Sequence, residues 1–276
     1  MGNIDSDGMD KNVLEKVLAL VYKHTGITMA ENKKTLLQGR LRPRIRVLNL
    51  NSYAEYLTYL ESHKDETQTF INLVTTNETF FFRTQRVWDY FNKELLPNWI
   101  KENPKKTLRI WSAAASTGAE IYSIGICCEE FRQKNPTFNF SLVGTDISTD
   151  VLKEAEKGEY QGRPIEGLKT SNPAMFEKYF KPSANGFKVS SDIQLKIRFA
   201  PHNLFQQYPQ PNAFDIVFLR NVLIYFEPAD TEKVLANISK ALVDKGRLII
   251  GESESLSSLK TTFKFVAPLV YENARG

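Results

Sequence analysis

The sequence predicts an α/β protein: a doubly wound parallel sheet, preceded by an all-α segment and carrying a small antiparallel β insertion. Three observations predict it. Before about residue 80, apolar side chains recur at helical spacing and no convincing strand interrupts them. From Thr107 onward, short β-rich runs alternate with helical patterns, the signature of a sheet covered by helices on both faces. Between Tyr179 and Phe199 the alternation breaks, and Phe187, Val189, Ile193, Leu195, Ile197 and Phe199 recur with polar residues between them. Around Ser190-Ser191-Asp192 this pattern reads as an antiparallel hairpin.

In order along the chain, Val13, Leu14, Val17, Leu18 and Val21 mark a first helix, and Leu36, Leu37, Leu41, Ile45 and Leu48 a second. Tyr53, Tyr56, Leu57 and Leu60 mark a third, with Ser52 as its cap and Glu55 completing a capping box. Phe70, Ile71 and Val74 belong to a fourth. Leu108–Ser112 reads as the first strand, followed by a helix from about Gly118 to Arg132. Phe140–Ile147 is the second strand, and Thr149–Lys157 the helix after it. Phe214–Leu219 is a nearly continuous apolar run, as expected for a parallel strand buried on both faces. Pro228 opens a helix reaching about Val243, ended by Lys245-Gly246 before a strand over Arg247–Gly251. Phe263–Glu272 reads as a final strand or strand pair.

The length, 276 residues, suits one large domain or two modest ones. The boundary expected here divides a helical domain, residues 1–76, from an α/β domain, residues 77–276, with the β-subdomain at about 180–200. Lys and Arg total 36 against 32 Asp and Glu, so the net charge is +4, which permits an acidic partner without demanding nucleic acid. Cys127 and Cys128 are adjacent on a buried helical stretch, where side chains diverge by about 100° per residue, so no disulfide is expected between them. His24, His63 and His202 are scattered and form no metal-ligand cluster with them. The opening MGNIDSDGMD is polar and acidic, unlike a signal peptide, and no apolar run approaches the ~20 residues of a membrane span. A reducing cytoplasm is expected. Met1-Gly2 with Ser6 also matches the minimal myristoylation pattern, which is short.

The chemistry concentrates at strand ends. Ser112-Ala-Ala-Ala-Ser-Thr-Gly-Ala-Glu120 joins the first strand to its helix with small residues, which let a ligand approach backbone amides or simply pack strand tightly against helix. Neither GxGxxG nor GxxxxGK[ST] is present, so both phosphate-loop fingerprints fail. Asp146 ends the second strand, where a carboxylate can accept from ribose hydroxyls or cap the next helix. Arg220 and Asn221 end the third, where open α/β sheets bind ligands; a salt-bridged Arg beside a capping Asn is the structural alternative. Asn77, Thr79 and Arg83 flank three consecutive aromatics at the junction between the two regions.

These stretches resemble the chemotaxis receptor methyltransferase family, CheR, over almost the whole chain. The marks are Asn77-x-Thr79-x-Phe-Phe-Arg83, Trp111-Ser-Ala-Ala-Ala-Ser-Thr-Gly-x-Glu120, Thr145-Asp146-Ile147, Phe218-x-Arg220-Asn221-Val-x-Ile-Tyr225-Phe226 and Gly251-x-Ser253-Glu254. The resemblance implies a Rossmann-like S-adenosylmethionine-dependent methyltransferase domain with an antiparallel β-subdomain, behind a helical N-terminal domain. It implies cofactor contacts at Asn77, Thr79, Arg83, Glu120, Asp146, Asn203, Leu204, Arg220 and Asn221, and orienting roles for Arg83 and Tyr225. It also implies transfer to glutamate side chains of receptor cytoplasmic helices, with S-adenosylhomocysteine as product. Two departures stand out: Ala119 where the family often has Glu, and Glu252 where it often has His.

Arg40, Arg42, Arg44 and Arg46, with Lys33 and Lys34 just before, put a dense basic face on one helix, which the family uses as a docking surface; a solvated surface is the bland alternative. Lys181–Gly186 is shorter than the loop with which part of the family binds a receptor-tethering peptide, so a form needing no tether is expected. A monomer without direct membrane insertion is expected. A non-catalytic S-adenosylmethionine-binding signalling module is the alternative. A nucleic-acid methyltransferase is disfavoured, because Arg220-Asn221-Val222-Leu223 stands where amino-methylating enzymes carry [DNS]-P-P-[YFW].

Overall fold

The computed structural model describes residues 8–275. The minimal myristoylation pattern at Met1-Gly2 and Ser6 lies outside the described residues. The chain opens with α1 (Lys11–Thr25), α2 (Lys34–Val47), α3 (Tyr53–Ser62) and α4 (Glu66–Val74). Asp10 caps α1 by accepting from the Val13 amide at 2.8 Å, and Gly26 ends it in the left-handed region. The Ser52 hydroxyl accepts from the Glu55 amide at 3.1 Å, but the Glu55 carboxylate returns to the Asn51 amide, one residue before the position a capping box requires. Leu14, Val17, Val21, Leu37, Leu41, Ile45, Tyr56, Phe70 and Val74 close a common core.

One polar network penetrates that core. Arg44 donates through Nε to Glu66 at 2.9 Å, and Tyr56 donates to the same carboxylate at 2.9 Å. Glu66 is 2% exposed, so the Arg44 charge is its compensation. Burial and the Glu66 carboxylate push the Tyr56 phenol up, keeping it a donor. Arg40 reaches the other way, to the Val74 carbonyl at 2.8 Å and the Thr76 hydroxyl at 3.0 Å. Two of the four candidate docking arginines are therefore struts that fix α2 to α4 and to the segment after it. Arg42 is half-buried and Arg46 is exposed.

The second region begins with α5 (Gln85–Tyr90), a π-helical turn over Phe91–Leu95 and α6 (Leu96–Glu102). It continues as β1 (Thr107–Ser112), α7 (Ala119–Lys134), β2 (Asn139–Asp146), α8 (Thr149–Lys157), β3 (Glu159–Tyr160), α9 (Arg163–Ser171) and α10 (Pro173–Tyr179). Then come β4 (Phe180–Ser183), β5 (Gly186–Val189), α11 (Ser191–Gln194), β6 (Ile197–Pro201), β7 (Phe214–Leu219), α12 (Pro228–Ala241), β8 (Leu242–Ile250), β9 (Phe263–Ala267) and β10 (Val270–Asn273). Among the described residues, seven strands form one sheet in the order β6-β2-β1-β7-β8-β10-β9. Every pairing from β6 to β8 is parallel, and β10 and β9 add antiparallel.

Side-chain alternation sends Leu108 and Ile110 of β1 to one face, against Trp88, Phe91, Ile121 and Ile124. Trp111 goes to the other face, near Val234, Leu235 and Ile238 of α12. Cys127 and Cys128 lie in the first of these cores as free thiols, and burial pushes Cys127 up to about 12. Iodoacetamide at pH 8 is expected to leave both unmodified in the native protein and to alkylate both in urea, counted by intact mass.

The antiparallel insertion is real but differently bounded. Among the described residues it is a three-stranded sheet in the order β3-β5-β4, and its hairpin turns between Ser183 and Gly186, not around Ser190–Asp192. The second half of the alternating stretch splits into α11 and β6, and β6 joins the main sheet beside β2. The helix expected to run from Pro228 to Val243 ends at Ala241, and Lys245-Gly246 lies inside β8.

Candidate functional site

In the main sheet the chain steps outward in one direction from β1 to β2 and in the other from β1 to β7. The loops beyond these strand ends diverge, leaving the crevice where such sheets bind ligands. An open cleft of about 870 Å³ lies there. Asn77, Thr79, Arg83, Glu120, Asp146, Asn203, Leu204, Arg220 and Asn221 all line it, as does Tyr225. The four arginines of α2 do not.

The loop after β1 forms the floor. The Ser116 amide donates to Asp146 at 2.9 Å, and its hydroxyl donates to the Asn77 carbonyl at 2.6 Å. Ser116 thereby joins the ends of β1 and β2 to the segment leaving the helical region. Asp146 also accepts from the Ser148 amide at 2.9 Å, an Asx turn; the cap position of α8 is Ser148, so the helix-capping role weighed from sequence is not the one Asp146 takes. Burial pushes its carboxyl up, and the amides of Ser148, Ser116 and Ile147 pull it back.

Arg220 organises the opposite wall. Its guanidinium donates to Glu120 at 2.9 Å and to the Arg83 carbonyl at 2.9 Å, and lies over the Trp88 ring. The Ser112 hydroxyl donates to the other Glu120 oxygen at 2.8 Å. The side chains of Arg220 and Glu120 are 1% and 12% exposed. Arg83 itself lies with its guanidinium over the Phe80 ring, 5.4 Å from the centroid. Phe82, Thr84, Ser116 and Asn221 all hold positive φ near this cleft, and left-handed backbone in non-glycine residues clusters at functional sites.

The helical region closes the cleft. Thr25 and Ile27 line it, and the Thr28 amide donates to the Tyr225 carbonyl at 2.9 Å. Asn203 donates to the His24 carbonyl at 3.3 Å and accepts from the Phe205 amide at 3.0 Å. Asn72 bonds the Thr149 amide at 3.0 Å, and Tyr22 donates to Asp230 at 2.7 Å. Sequence reading missed Thr25, Ile27 and His202 as cleft residues, and reached Ser116 only as part of the small-residue loop after β1. His202 follows β6 directly, and assigning β6 to the hairpin hid it.

Gly26 is the tightest point of this junction. A Cβ there would stand 2.0 Å from the Phe205 ring, at a φ of +71°. Phe205 in turn packs edge-on against Phe226 of the cleft wall. Gly26→Ala is expected to destabilise by about 2–3 kcal/mol through overpacking and left-handed strain. Urea unfolding measures it, and calorimetry should show weakened cofactor binding as the wall shifts.

The donor set fits the cofactor that the resemblance implies. Glu120 and Asp146 offer acceptors for ribose hydroxyls, while Ile27, Ala113, Ile147 and Leu204 offer apolar surface for an adenine ring.

Comparison with known proteins agrees. The family described as CheR methyltransferase, all-alpha domain, matches residues 12–75, and CheR methyltransferase, SAM binding domain, matches residues 77–271. The chemotaxis protein methyltransferase of Escherichia coli K12 is 35% identical over 263 residues, covering 93% of this chain and 88% of that protein. The chemotaxis protein methyltransferase of Borreliella burgdorferi is 30% identical over 271 residues, covering 95% of this chain and 94% of that one.

Proposed function

We propose that this chain, which belongs to the CheR methyltransferase family and takes S-adenosylmethionine as its cofactor, methylates glutamate side chains on the cytoplasmic helices of chemotaxis receptors. The observation that carries this reading is convergence. Residues from the segment after α4, from the ends of β1, β2 and β7, and from the loop after β6 all line one cleft.

Bound there, the cofactor supplies a methyl group activated by its positive sulfur. The acceptor needs little help, because a glutamate carboxylate with a reference pKa near 4.3 is ionised at pH 7. No general base is therefore assigned. Glu120 and Asp146 hold the ribose, Asn77, Thr79, Asn203 and Leu204 border it, and Asn221 contributes from the turn after β7. Arg220 binds Glu120 and the Arg83 carbonyl, so it shapes the wall and leaves orientation of the acceptor carboxylate to Arg83 and Tyr225. Holding reacting groups in line contributes on the order of 7–11 kcal/mol in favourable cases.

The test is transfer of radiolabelled methyl to a receptor cytoplasmic fragment. Base-labile label, lost when the receptor glutamates are changed to alanine, supports the reading. Tight cofactor binding without label transfer sinks it and favours the binding-module alternative. Docking is assigned to the solvent face of α2. Arg42→Glu with Arg46→Glu is expected to cut receptor methylation at least tenfold while S-adenosylhomocysteine affinity stays within twofold. We place the protein in the cytoplasm as a monomer; among the described residues no helix is long and apolar enough to cross a membrane.

A further inference from the structure

Glu254 lies outside the cleft lining, yet its carboxylate receives four backbone amides. One oxygen accepts from Gly251 at 2.5 Å and Asn221 at 3.1 Å. The other accepts from Val222 at 2.9 Å and Leu223 at 2.8 Å. Three of these amides belong to the turn after β7, the turn whose Asn221, Val222, Tyr225 and Phe226 face the cleft. Glu254 is 9% exposed, so little water competes for those bonds.

The turn is held from outside. Asn221 sits at φ 61°, in the left-handed region that Asn enters more readily than other non-glycine residues. Successive amides pointing at one spot form an anion-binding concavity, and here the anion is supplied by the chain itself. Gly251 completes the fit: a Cβ there would stand 2.7 Å from the Asn221 side chain, 2.8 Å from the Glu254 carboxylate and 2.9 Å from the Asn221 amide. Any side chain at 251 would push the turn off its carboxylate.

We infer that Glu254 is a positioning residue: its carboxylate pre-forms the 221–225 turn so that Asn221 and Tyr225 meet the cofactor and the acceptor already in place. This inference rests on the cleft being the S-adenosylmethionine site. A turn ordered in advance binds more tightly, because no ordering remains to be done on binding. Glutamine cannot replace Glu254. It keeps one acceptor oxygen and aims an NH₂ group at amides that are themselves donors.

The experiment compares wild type with Glu254→Gln by calorimetric titration with S-adenosylhomocysteine, thermal melting, and amide proton NMR of residues 221–223 and 251. The variant is expected to bind at least tenfold more weakly, with those four amide resonances moving upfield and the other cleft amides unmoved. Affinity within twofold of wild type in the folded variant overturns the inference, since a merely structural role would lower the melting temperature and leave the affinity alone. Should the variant fail to fold, hydrogen exchange on wild type decides. The inference requires the 221–223 amides to be protected before S-adenosylhomocysteine is added, and free exchange until it is added overturns it. Neither readout involves a methyl acceptor, so failure here leaves the receptor reading standing, and failure of receptor labelling leaves this one.

Discussion

Arg220→Ala is expected to lower the unfolding free energy by about 3–5 kcal/mol and to abolish measurable S-adenosylhomocysteine binding. The size follows from burial. With the Arg220 and Glu120 side chains 1% and 12% exposed, each charge has left water and depends on the other. Removing one partner of such a pair strands the second, which is where penalties of about 3–5 kcal/mol arise. The Arg83 carbonyl also loses a donor and, among the described residues, keeps the Trp88 indole at 3.0 Å. The segment that carries Arg83 is then free to shift, and with it the cleft wall. The converse change sharpens the test. Replacing both partners together, Arg220→Met with Glu120→Leu, is expected to be less destabilising than the sum of the singles, because no charge is left unpaired. Urea unfolding of the four proteins gives the coupling. Additive effects would mean that the pair contributes packing alone. Binding should be lost in every variant, since Glu120 itself borders the cleft.

Much of this was legible in the sequence because strand ends announce themselves. Arg220 and Asn221 follow the nearly continuous apolar run Phe214–Leu219, Asp146 ends the β-rich run before Ile147, and all three line the cleft. What failed was partner identity. The alternation from Ile193 to Phe199 spans two elements, with Ile193 in α11 and Leu195 exposed between them, and period two in the remaining strand does not say which sheet owns it. β6 therefore went to the hairpin when it belongs beside β2. Helical spacing likewise placed Arg40 and Arg44 on one face of α2, but it could not show Glu66 arriving from α4 to claim Arg44. Glu254 is the extreme case. Its partners are backbone amides, which every sequence possesses, so nothing in the residue types around it points to that contact.

Arg83→Ala is expected to reduce turnover about 100-fold at saturating S-adenosylmethionine, the magnitude typical of removing one pre-positioned donor, and Tyr225→Phe about tenfold, the worth of one ordinary hydrogen bond. The two residues reach the cleft from different elements. Arg83 comes from the segment before α5, where the Arg220 bond to its carbonyl fixes the backbone and leaves the guanidinium over Phe80. Tyr225 comes from the turn after β7, anchored to the helical region through the Thr28 amide. An acceptor carboxylate between them would have its non-attacking oxygen held while the other stays poised to react. Attraction that is too strong would stabilise the carboxylate charge, which must disappear as the methyl group transfers. A phenol paired with an arginine braced on an aromatic ring suits that balance better than a second arginine, and it agrees with Arg220 being engaged elsewhere. Arg83→Lys should therefore recover part of the loss, because it returns the charge without the planar fork. The distinguishing measurement is kcat against KM for each substrate. A fall in kcat with the S-adenosylmethionine KM within threefold supports an orienting role toward the acceptor. A rise in that KM with kcat unchanged would assign Arg83 to cofactor binding alone. Between pH 6 and 8 the wild-type rate should stay flat, since a glutamate acceptor with a pKa near 4.3 is already ionised throughout.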